Sequence, residues 1–331
     1  MEANNLVTEI MSNETLKKLR AWIGLGLLLL LTPIGITISV AIYLYDTFVR
    51  SKKCKKIAGE VAVVTGAAGG LGKCIAAELA AEGCNIAICD INQELAEETA
   101  KEIANNYGVK ANAYKVDVTK YEEIVELNEK VTKDIGAATI LVNNAGLLLH
   151  SDQLNPTVRD IERMVNVNYL SHFWTNRVFL ENMKKANKGH IVAIASVAGL
   201  VTLPYSEPYC SSKTAVRSLM RVLRAELKVE NLTNIDATTV FPSFLHTHAR
   251  VKQFAMASGY ADLYPLLDGE EVAQRIVKGM LNREVEIAVP GFFALTYRLL
   301  SLLPARAQDL VTSMPMKRTN AFYAFESIKE E

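Results

Sequence analysis

Tyr209 is followed four residues later by Lys213, a spacing of just over one helical turn that puts a phenol and an ammonium on one helix face. A cation beside a phenol favours the phenolate. The pair therefore predicts a pKa below the ordinary value of about 10 and a group that exchanges protons near neutral pH. Ser196 stands upstream, where the apolar run His190-Ile191-Val192-Ala193-Ile194-Ala195 ends. A hydroxyl leaving a buried strand end is well placed to hold a substrate oxygen. Nearer the N-terminus lies a glycine-rich turn, Thr65-Gly66-Ala67-Ala68-Gly69-Gly70-Leu71-Gly72. Its glycines let the backbone approach a pyrophosphate, which the N-terminus of the following helix attracts. Nucleotide turn, strand-end serine and Tyr–Lys pair together predict hydride transfer between an alcohol and a nicotinamide.

The elements that must position these residues alternate along the chain. Strands are predicted at 61–65, 85–90, 110–116, 139–143, 190–195, 236–241 and 286–289. Helices are predicted at 71–82, 93–107, 120–135, 157–185, 209–230 and 269–282. The strands are rich in Val, Ile and Ala without clean alternation, as expected of strands covered on both faces. Alternating strand and helix implies a doubly wound parallel sheet of Rossmann type with helices on both faces. In such sheets ligands bind outside the carboxyl ends of the strands, and the candidate residues sit there. Asp90 ends the second predicted strand, 18 residues after Gly72, near the spacing of an acid that accepts the ribose hydroxyls. A carboxylate there repels a 2′-phosphate, which favours NAD over NADP. Asp117 and Val118 follow the third strand and can reach the adenine. Asn144, in Asn143-Asn144-Ala145-Gly146, follows the fourth and can line the adenosine side, although either segment alone also reads as a turn satisfying its own backbone.

The chain of 331 residues is 50% hydrophobic and 22% charged, with formal net charge +0, so nothing in its charge attracts nucleic acid. Its five cysteines form no C-x-x-C pair and no metal spacing, which predicts reduced thiols and no metal site. His172, His246 and His248 lack a carboxylate or cysteine to complete a metal set; the last two read as edging the substrate pocket. Residues 21–45 carry no charge. At about 1.5 Å per residue a 25-residue helix is roughly 37 Å long, enough to cross a bilayer. The run is too long for a cleaved signal peptide and no cleavage-like site follows it. Pro33 and Gly35 also permit a hairpin. Arg50, Lys52, Lys53, Lys55 and Lys56 follow with no acid before Glu60, so the positive-inside tendency puts the following domain in the cytosol. The predicted organisation is a polar N-terminus (1–20), a membrane anchor (21–45), a basic linker (46–57), one catalytic domain (58–290), and a C-terminal apolar segment with tail (291–331).

Taken together these residues resemble the short-chain dehydrogenase/reductase family. The matching motifs are Thr65-Gly66-(x)3-Gly70-x-Gly72, Asn143-Asn144-Ala145-Gly146, Asn168, Ser196 and Tyr209-(x)3-Lys213, over roughly residues 57–290. The stretch from Val167 to Thr175, the sequence Tyr209-Cys210-Ser211-Ser212-Lys213, the N-terminal anchor and the apolar C-terminal Leu299-Leu300-Ser301-Leu302-Leu303-Pro304 resemble one branch, the membrane-bound epidermal retinol dehydrogenases and 17-beta-hydroxysteroid dehydrogenases. The resemblance implies that Tyr209 is the general acid and base and that Lys213 lowers its pKa and bonds the nicotinamide ribose. It implies further that Ser196 orients the reacting oxygen, that Asn168 holds a water linking Lys213 to solvent, and that Thr247 contacts the nicotinamide carboxamide. Gly66, Gly70, Leu71 and Gly72 would hold the pyrophosphate, with Asp90, Asp117, Val118 and Asn144 on the adenosine side. The family's usual Pro-Gly is Pro242-Ser243 here.

The expectation is therefore a membrane-anchored, NAD-dependent oxidoreductase of a lipid alcohol, retinol-like or steroid, assembled as a homodimer on the endoplasmic reticulum or a lipid droplet. The rival expectation is a surface protein of those membranes that uses the same fold only for binding. The segment 244–267, with Phe254, Met256, Tyr260 and Tyr264, reads as an apolar lid, although residues at that mixed spacing also read as plain core packing.

Overall fold

A computed structural model describes residues 2–45, 54–148, 156–204, 206–246, 252, 255–256 and 266–313. The chain divides into two compact units, Met1–Lys53 and Cys54–Glu331. Thr247, His248 and the lid residues Phe254, Tyr260 and Tyr264 lie outside the described residues, as does the basic linker as far as Lys53.

The first unit is one helix, α1 (Glu2–Leu44), which continues through Pro33. Proline removes one donor from the ladder. Thr32 Oγ1 and Thr37 Oγ1 donate to the carbonyls of Leu28 and Pro33, at 2.6 and 2.9 Å, and tie the turns on either side. Its stretch Asn13–Ile42 is long and apolar enough to cross a bilayer and buries nothing. Large apolar side chains stand exposed all round it, with Trp22 at 71% and Leu30 at 70%.

The second unit is built on seven parallel strands: β1 (Val61–Thr65), β2 (Asn85–Asp90), β3 (Ala111–Lys115), β4 (Ile140–Asn143), β5 (Gly189–Ile194), β6 (Ile235–Pro242) and β7 (Glu286–Val289). They lie in the order β3-β2-β1-β4-β5-β6-β7. Helices α2 (Gly70–Ala81), α3 (Gln93–Tyr107), α4 (Tyr121–Asp134), α5 (Val158–Val165), α6 (Ser171–Ala186), α7 (Glu207–Val229) and α8 (Gly269–Leu281) connect the strands, and α9 (Phe292–Leu300) and α10 (Ala305–Ser313) follow. One apolar cluster packs α2, α3 and α8 on one face of the sheet through Ile75, Leu79, Ile103, Ile276 and Met280. A second packs α4, α6 and α7 on the other through Ile124, Phe179, Met183, Val216 and Met220. The central strands are buried along their full length because both faces are covered, which is why they read as apolar runs rather than as alternation. Each β1 residue has a partner in β2, from Val61 opposite Asn85 to Thr65 opposite Cys89. The predicted doubly wound sheet is thus the observed one.

One helix departs from expectation. The continuous helix predicted at 157–185 is α5 and α6 joined through a π-helical turn, Asn166–Leu170. A π turn carries one residue more than an α turn and leaves no mark in hydrophobic periodicity. It falls on Asn168.

Candidate active site

The reversal of strand order between β1 and β4 opens a crevice at the carboxyl edge of the sheet, where ligands of such folds bind. Asp90 from β2, the glycine turn after β1, Asn144 after β4, Ser196 after β5 and Pro242 at the end of β6 line one cleft of about 670 Å³. That lies inside the range of about 300–1,000 Å³ common to small-molecule sites. β2 and β5 are three strand spacings apart, roughly 14 Å at about 4.8 Å each. Asp90 and Ser196 therefore stand well separated along the edge.

At the β2 side, the Asp90 carboxylate accepts from Ala68 N at 3.1 Å and from Asn92 N at 3.1 Å. Two backbone amides fix an anion at the mouth of the glycine turn. The turn is compact enough to demand glycine. Gly66 has φ +63, and a Cβ there would meet Ala145 Cα at 2.8 Å. A Cβ on Gly72 would collide with the Gly66 carbonyl oxygen and sit 2.5 Å from Asn144 Nδ2. Asn144 holds the two loops together: its amide donates to Thr65 O at 3.0 Å and Gly66 O at 2.9 Å, and its own N–H donates to Thr65 Oγ1 at 3.0 Å. The Asn144 amide nitrogen is thus committed to the turn, while the residue lines the cleft. Asp117 also lines it, but its Oδ1 accepts from both Thr119 N and Thr119 Oγ1, at 3.0 and 2.7 Å. Val118 and Leu71 add apolar wall. This half fits a dinucleotide: an anchored carboxylate for ribose hydroxyls, then a glycine turn opening the helix N-terminus of α2.

At the β5 side, Ser196 is buried and its Oγ accepts from Ala198 N at 3.1 Å. The Ser196 hydroxyl neighbours the Tyr209 phenol closely enough to lower its pKa. Tyr209 lies in the first turn of α7, whose positive end modestly favours an anion. Lys213 is 4% exposed; its Nζ donates to Ile194 O at 2.9 Å and stands 5.9 Å from the Tyr209 ring centre. Asn168 is fully buried in the π turn. Its Oδ1 accepts from Leu147 N at 2.6 Å, and its Nδ2 donates to Leu147 O at 2.8 Å and Ser212 Oγ at 3.3 Å. The Asn168 side chain thus holds the loop after β4 and the start of α7. Gly146 lies between the two polar groups: a Cβ on it would be 3.4 Å from Lys213 Nζ and 3.5 Å from Asn168 Oδ1. Behind them, Asn143 Nδ2 donates to Asn176 at 2.8 Å and Thr175 donates to Asn143 at 2.6 Å, a buried polar brace between β4 and α6.

One expectation is corrected. Burial, the largest influence, pushes the Tyr209 phenol above its ordinary pKa; the neighbouring Ser196 hydroxyl lowers it and Cys210 raises it, and burial wins. The Lys213 charge faces the phenol from across the ring rather than bonding its oxygen. Burial also lowers the Lys213 ammonium itself, to about 8. Sequence spacing placed the pair correctly but carries no information on desolvation, which at a buried site rivals a charge at that distance. Sequence reasoning also missed Ala68, Ser212 and Gly146 as supports. Ala68 and Gly146 sit inside the quoted motifs and Ser212 beside Lys213.

The profile of the family described as short chain dehydrogenase matches residues 60–258. The chain belongs to the short-chain dehydrogenase family. It is 36% identical to 17-beta-hydroxysteroid dehydrogenase 13 of Homo sapiens over 86% of its length and 93% of the relative's. It is 36% identical to estradiol 17-beta-dehydrogenase 11 of Homo sapiens over 84% of its length and 90% of the relative's. It is 35% identical to short-chain dehydrogenase/reductase family 16C member 6 of Bos taurus over 73% and 75%. Among solved structures, NAD+-bound xylitol dehydrogenase superposes with a TM-score of 0.64 at 26% identity, over 71% of this chain and 99% of that one. The family and the branch containing 17-beta-hydroxysteroid dehydrogenases are those the motifs resemble.

Proposed function

We propose that this protein is a membrane-anchored, NAD-dependent oxidoreductase that interconverts a hydrophobic lipid alcohol and its carbonyl. The observation that carries the reading is the convergence of Ser196, Tyr209 and Lys213, with Asn168 bracing Leu147 and Ser212 behind them, on one end of a cleft whose other end holds Asp90 between two backbone amides. NAD supplies the hydride acceptor, or donor, for the carbon that bears the reacting oxygen. The chain supplies the rest. Ser196 holds the reacting oxygen by a hydrogen bond. Tyr209 takes its proton in oxidation and returns it in reduction. Lys213 presents a buried ammonium to the ribose and to the phenol. Asn168, by fixing Leu147 and Ser212, keeps the floor of the site in place for proton exchange. Gly66, Gly70, Leu71 and Gly72 cradle the pyrophosphate, Asp90 accepts the ribose hydroxyls, and Asp117, Val118 and Asn144 flank the adenosine. Thr247, outside the described residues, contacts the carboxamide in this reading.

The relatives' names favour a steroid alcohol, with retinoid and long-chain alcohols as the alternatives of the same chemistry. An unburied apolar helix ahead of the domain supports delivery of a poorly soluble substrate from a bilayer. Exposed Phe292, Leu295 and Leu299 on α9 support a second, interfacial contact. The membrane is that of the endoplasmic reticulum or a lipid droplet, and the catalytic domain faces the cytosol. Exposed Phe173 on α6 and Val222 on α7 support pairing of two copies. The purified full chain in detergent, assayed with NAD+ against steroid, retinoid and long-chain alcohols, tests the reading. Turnover of at least one class supports it, and silence with every class together with tight lipid binding favours the binding-only alternative.

A further inference from the structure

A cavity of about 490 Å³ lies away from the cleft, at the other end of β6. Strand β6 starts at Ile235, but its first partner in β7 stands opposite Thr239, so residues 235–238 have no strand on that side. The second half of α7, the turn before β6 and the turn before β7 close round the gap. From this cavity β6 runs on to Pro242 at the cleft. At about 3.3 Å per residue, Ala237 and Pro242 are roughly 17 Å apart, so the two sites are distinct.

Cations outweigh acids in its lining. Arg221, Arg224 and Lys228 of α7 and Arg283 of the turn before β7 stand against Asp236 and Glu284. Both carboxylates are already engaged from outside the lining, Asp236 by Lys55 at 2.5 Å and Glu284 by Arg275 at 3.1 and 2.7 Å. Arg283 shares Asp236, at 3.0 Å. Among the described residues the side chains of Arg221 and Lys228 meet no carboxylate. The Arg224 side chain is only 16% exposed. Its guanidinium donates to Thr239 Oγ1 at 3.2 Å and stands 4.0 Å from Glu286, which Arg217 already holds at 3.2 Å. Burial lowers the Arg224 pKa, Glu286 opposes, and the charges of Arg221 and Arg217 add to the lowering. A largely buried cation without a counter-ion of its own is costly, and a bound anion offsets that cost. A chain of formal net charge +0 thus concentrates unmatched positive charge in one cavity.

Side chains three and four apart on a helix are neighbours, so Arg221, Arg224 and Lys228 form one cationic row along α7. Guanidinium forks match the oxygens of a phosphate. Leu227, Leu232, Ile235 and Val285 add an apolar wall. A bare phosphate would leave that wall wet, whereas a phosphate ester covers it with its apolar substituent. We infer that this cavity binds a phosphate ester carrying an apolar group, the chemistry of an anionic phospholipid headgroup, with Arg221, Arg224 and Lys228 holding the phosphate. The assignment is independent of the substrate taken at the cleft.

Isothermal titration of the full-length protein in non-ionic detergent tests this, with dihexanoyl phosphatidic acid, inorganic phosphate and dihexanoylglycerol as probes. The double variant Arg221→Gln/Lys228→Gln removes two exposed charges that have no partner, and Arg224→Gln removes the buried one. Each should weaken phosphatidic acid binding by about tenfold or more, the effect of losing charge-assisted hydrogen bonds. NADH affinity at the distant cleft should stay within about twofold, which also shows that the variants are folded. Lys101→Gln/Lys110→Gln takes an equal charge from beside β3, at the opposite edge of the sheet, and should leave phosphatidic acid binding within about twofold. Equal affinity for inorganic phosphate would overturn the headgroup assignment. Equal affinity for dihexanoylglycerol would overturn the phosphate itself and leave an apolar groove. An equal loss in the remote lysine variant would overturn the site, because the attraction would then be general charge. Unchanged phosphatidic acid affinity in both cavity variants would overturn it as well.

Discussion

Replacing Asp90 with asparagine separates charge from shape at the cofactor end of the cleft. The native carboxylate accepts from Ala68 N and Asn92 N, both at 3.1 Å, so its position at the glycine turn is fixed. A hydrogen bond to a charged acceptor is worth about 1.5–3 kcal/mol. Loss of charge toward the ribose hydroxyls should therefore weaken NADH binding by roughly 10- to 100-fold. The larger effect falls on discrimination. One negative charge about 5 Å from another, at an effective dielectric of about 20, costs roughly 3 kcal/mol. That is about a hundredfold penalty on a 2′-phosphate, and the asparagine removes it. Titration of intrinsic fluorescence with NADH and NADPH measures both constants. The wild type should prefer NADH by about two orders of magnitude, and the Asp90→Asn protein should bind the two within about tenfold. A wild type that prefers NADPH, or a variant with the original preference, would refute the assignment of Asp90.

Lys213→Met should abolish turnover yet raise the melting temperature at pH 7. The folded lysine has its pKa lowered to about 8 against an unfolded value near 10.4, so the native state binds fewer protons between those values and wild-type stability rises with pH there. The gap between variant and wild type, on the order of 3 kcal/mol at pH 7, should narrow in melts at pH 8.5 and 9.5. Gly72→Ala drives a Cβ into the Gly66 carbonyl and Asn144, and should cost about 1–3 kcal/mol in urea melts as well as NADH affinity. Deleting residues 1–45 should move the protein out of the detergent-requiring membrane fraction. In sealed microsomes added protease should digest the wild-type domain, in keeping with the basic residues after the apolar run. Weak residual binding that is lost when Leu295 and Leu299 are both replaced by serine would mark α9 as a second contact.

Much of the sheet was legible because its strands are buried on both faces. β1, β2 and β7 begin and end where the apolar runs do, and Asp90 and Ser196 fall where those runs stop. What sequence could not carry depends on depth or on a single extra residue. The π turn at Asn166–Leu170 leaves helical periodicity intact on both sides, so α5 and α6 read as one helix. The Tyr209 phenol sits above its ordinary pKa because desolvation outweighs the lowering by the Ser196 hydroxyl, and spacing reports only the lysine. Lys55 read as one more linker cation. It is held beside Asp236 at 2.5 Å and beside His190 Nδ1 at 3.2 Å, at the amino end of β5 and β6, an arrangement only the folded sheet creates.

The central claim is that Tyr209 transfers the proton while NAD exchanges a hydride with a lipid alcohol. Single-turnover formation of NADH, followed by its absorbance with the best alcohol of the panel, compares wild type and Tyr209→Phe most directly. The account predicts a fall of roughly 10²–10⁴-fold in rate, the typical worth of general acid–base catalysis, with the NAD+ dissociation constant within a few-fold of wild type. A Tyr209→Phe protein that turns over at near-normal rate would contradict it.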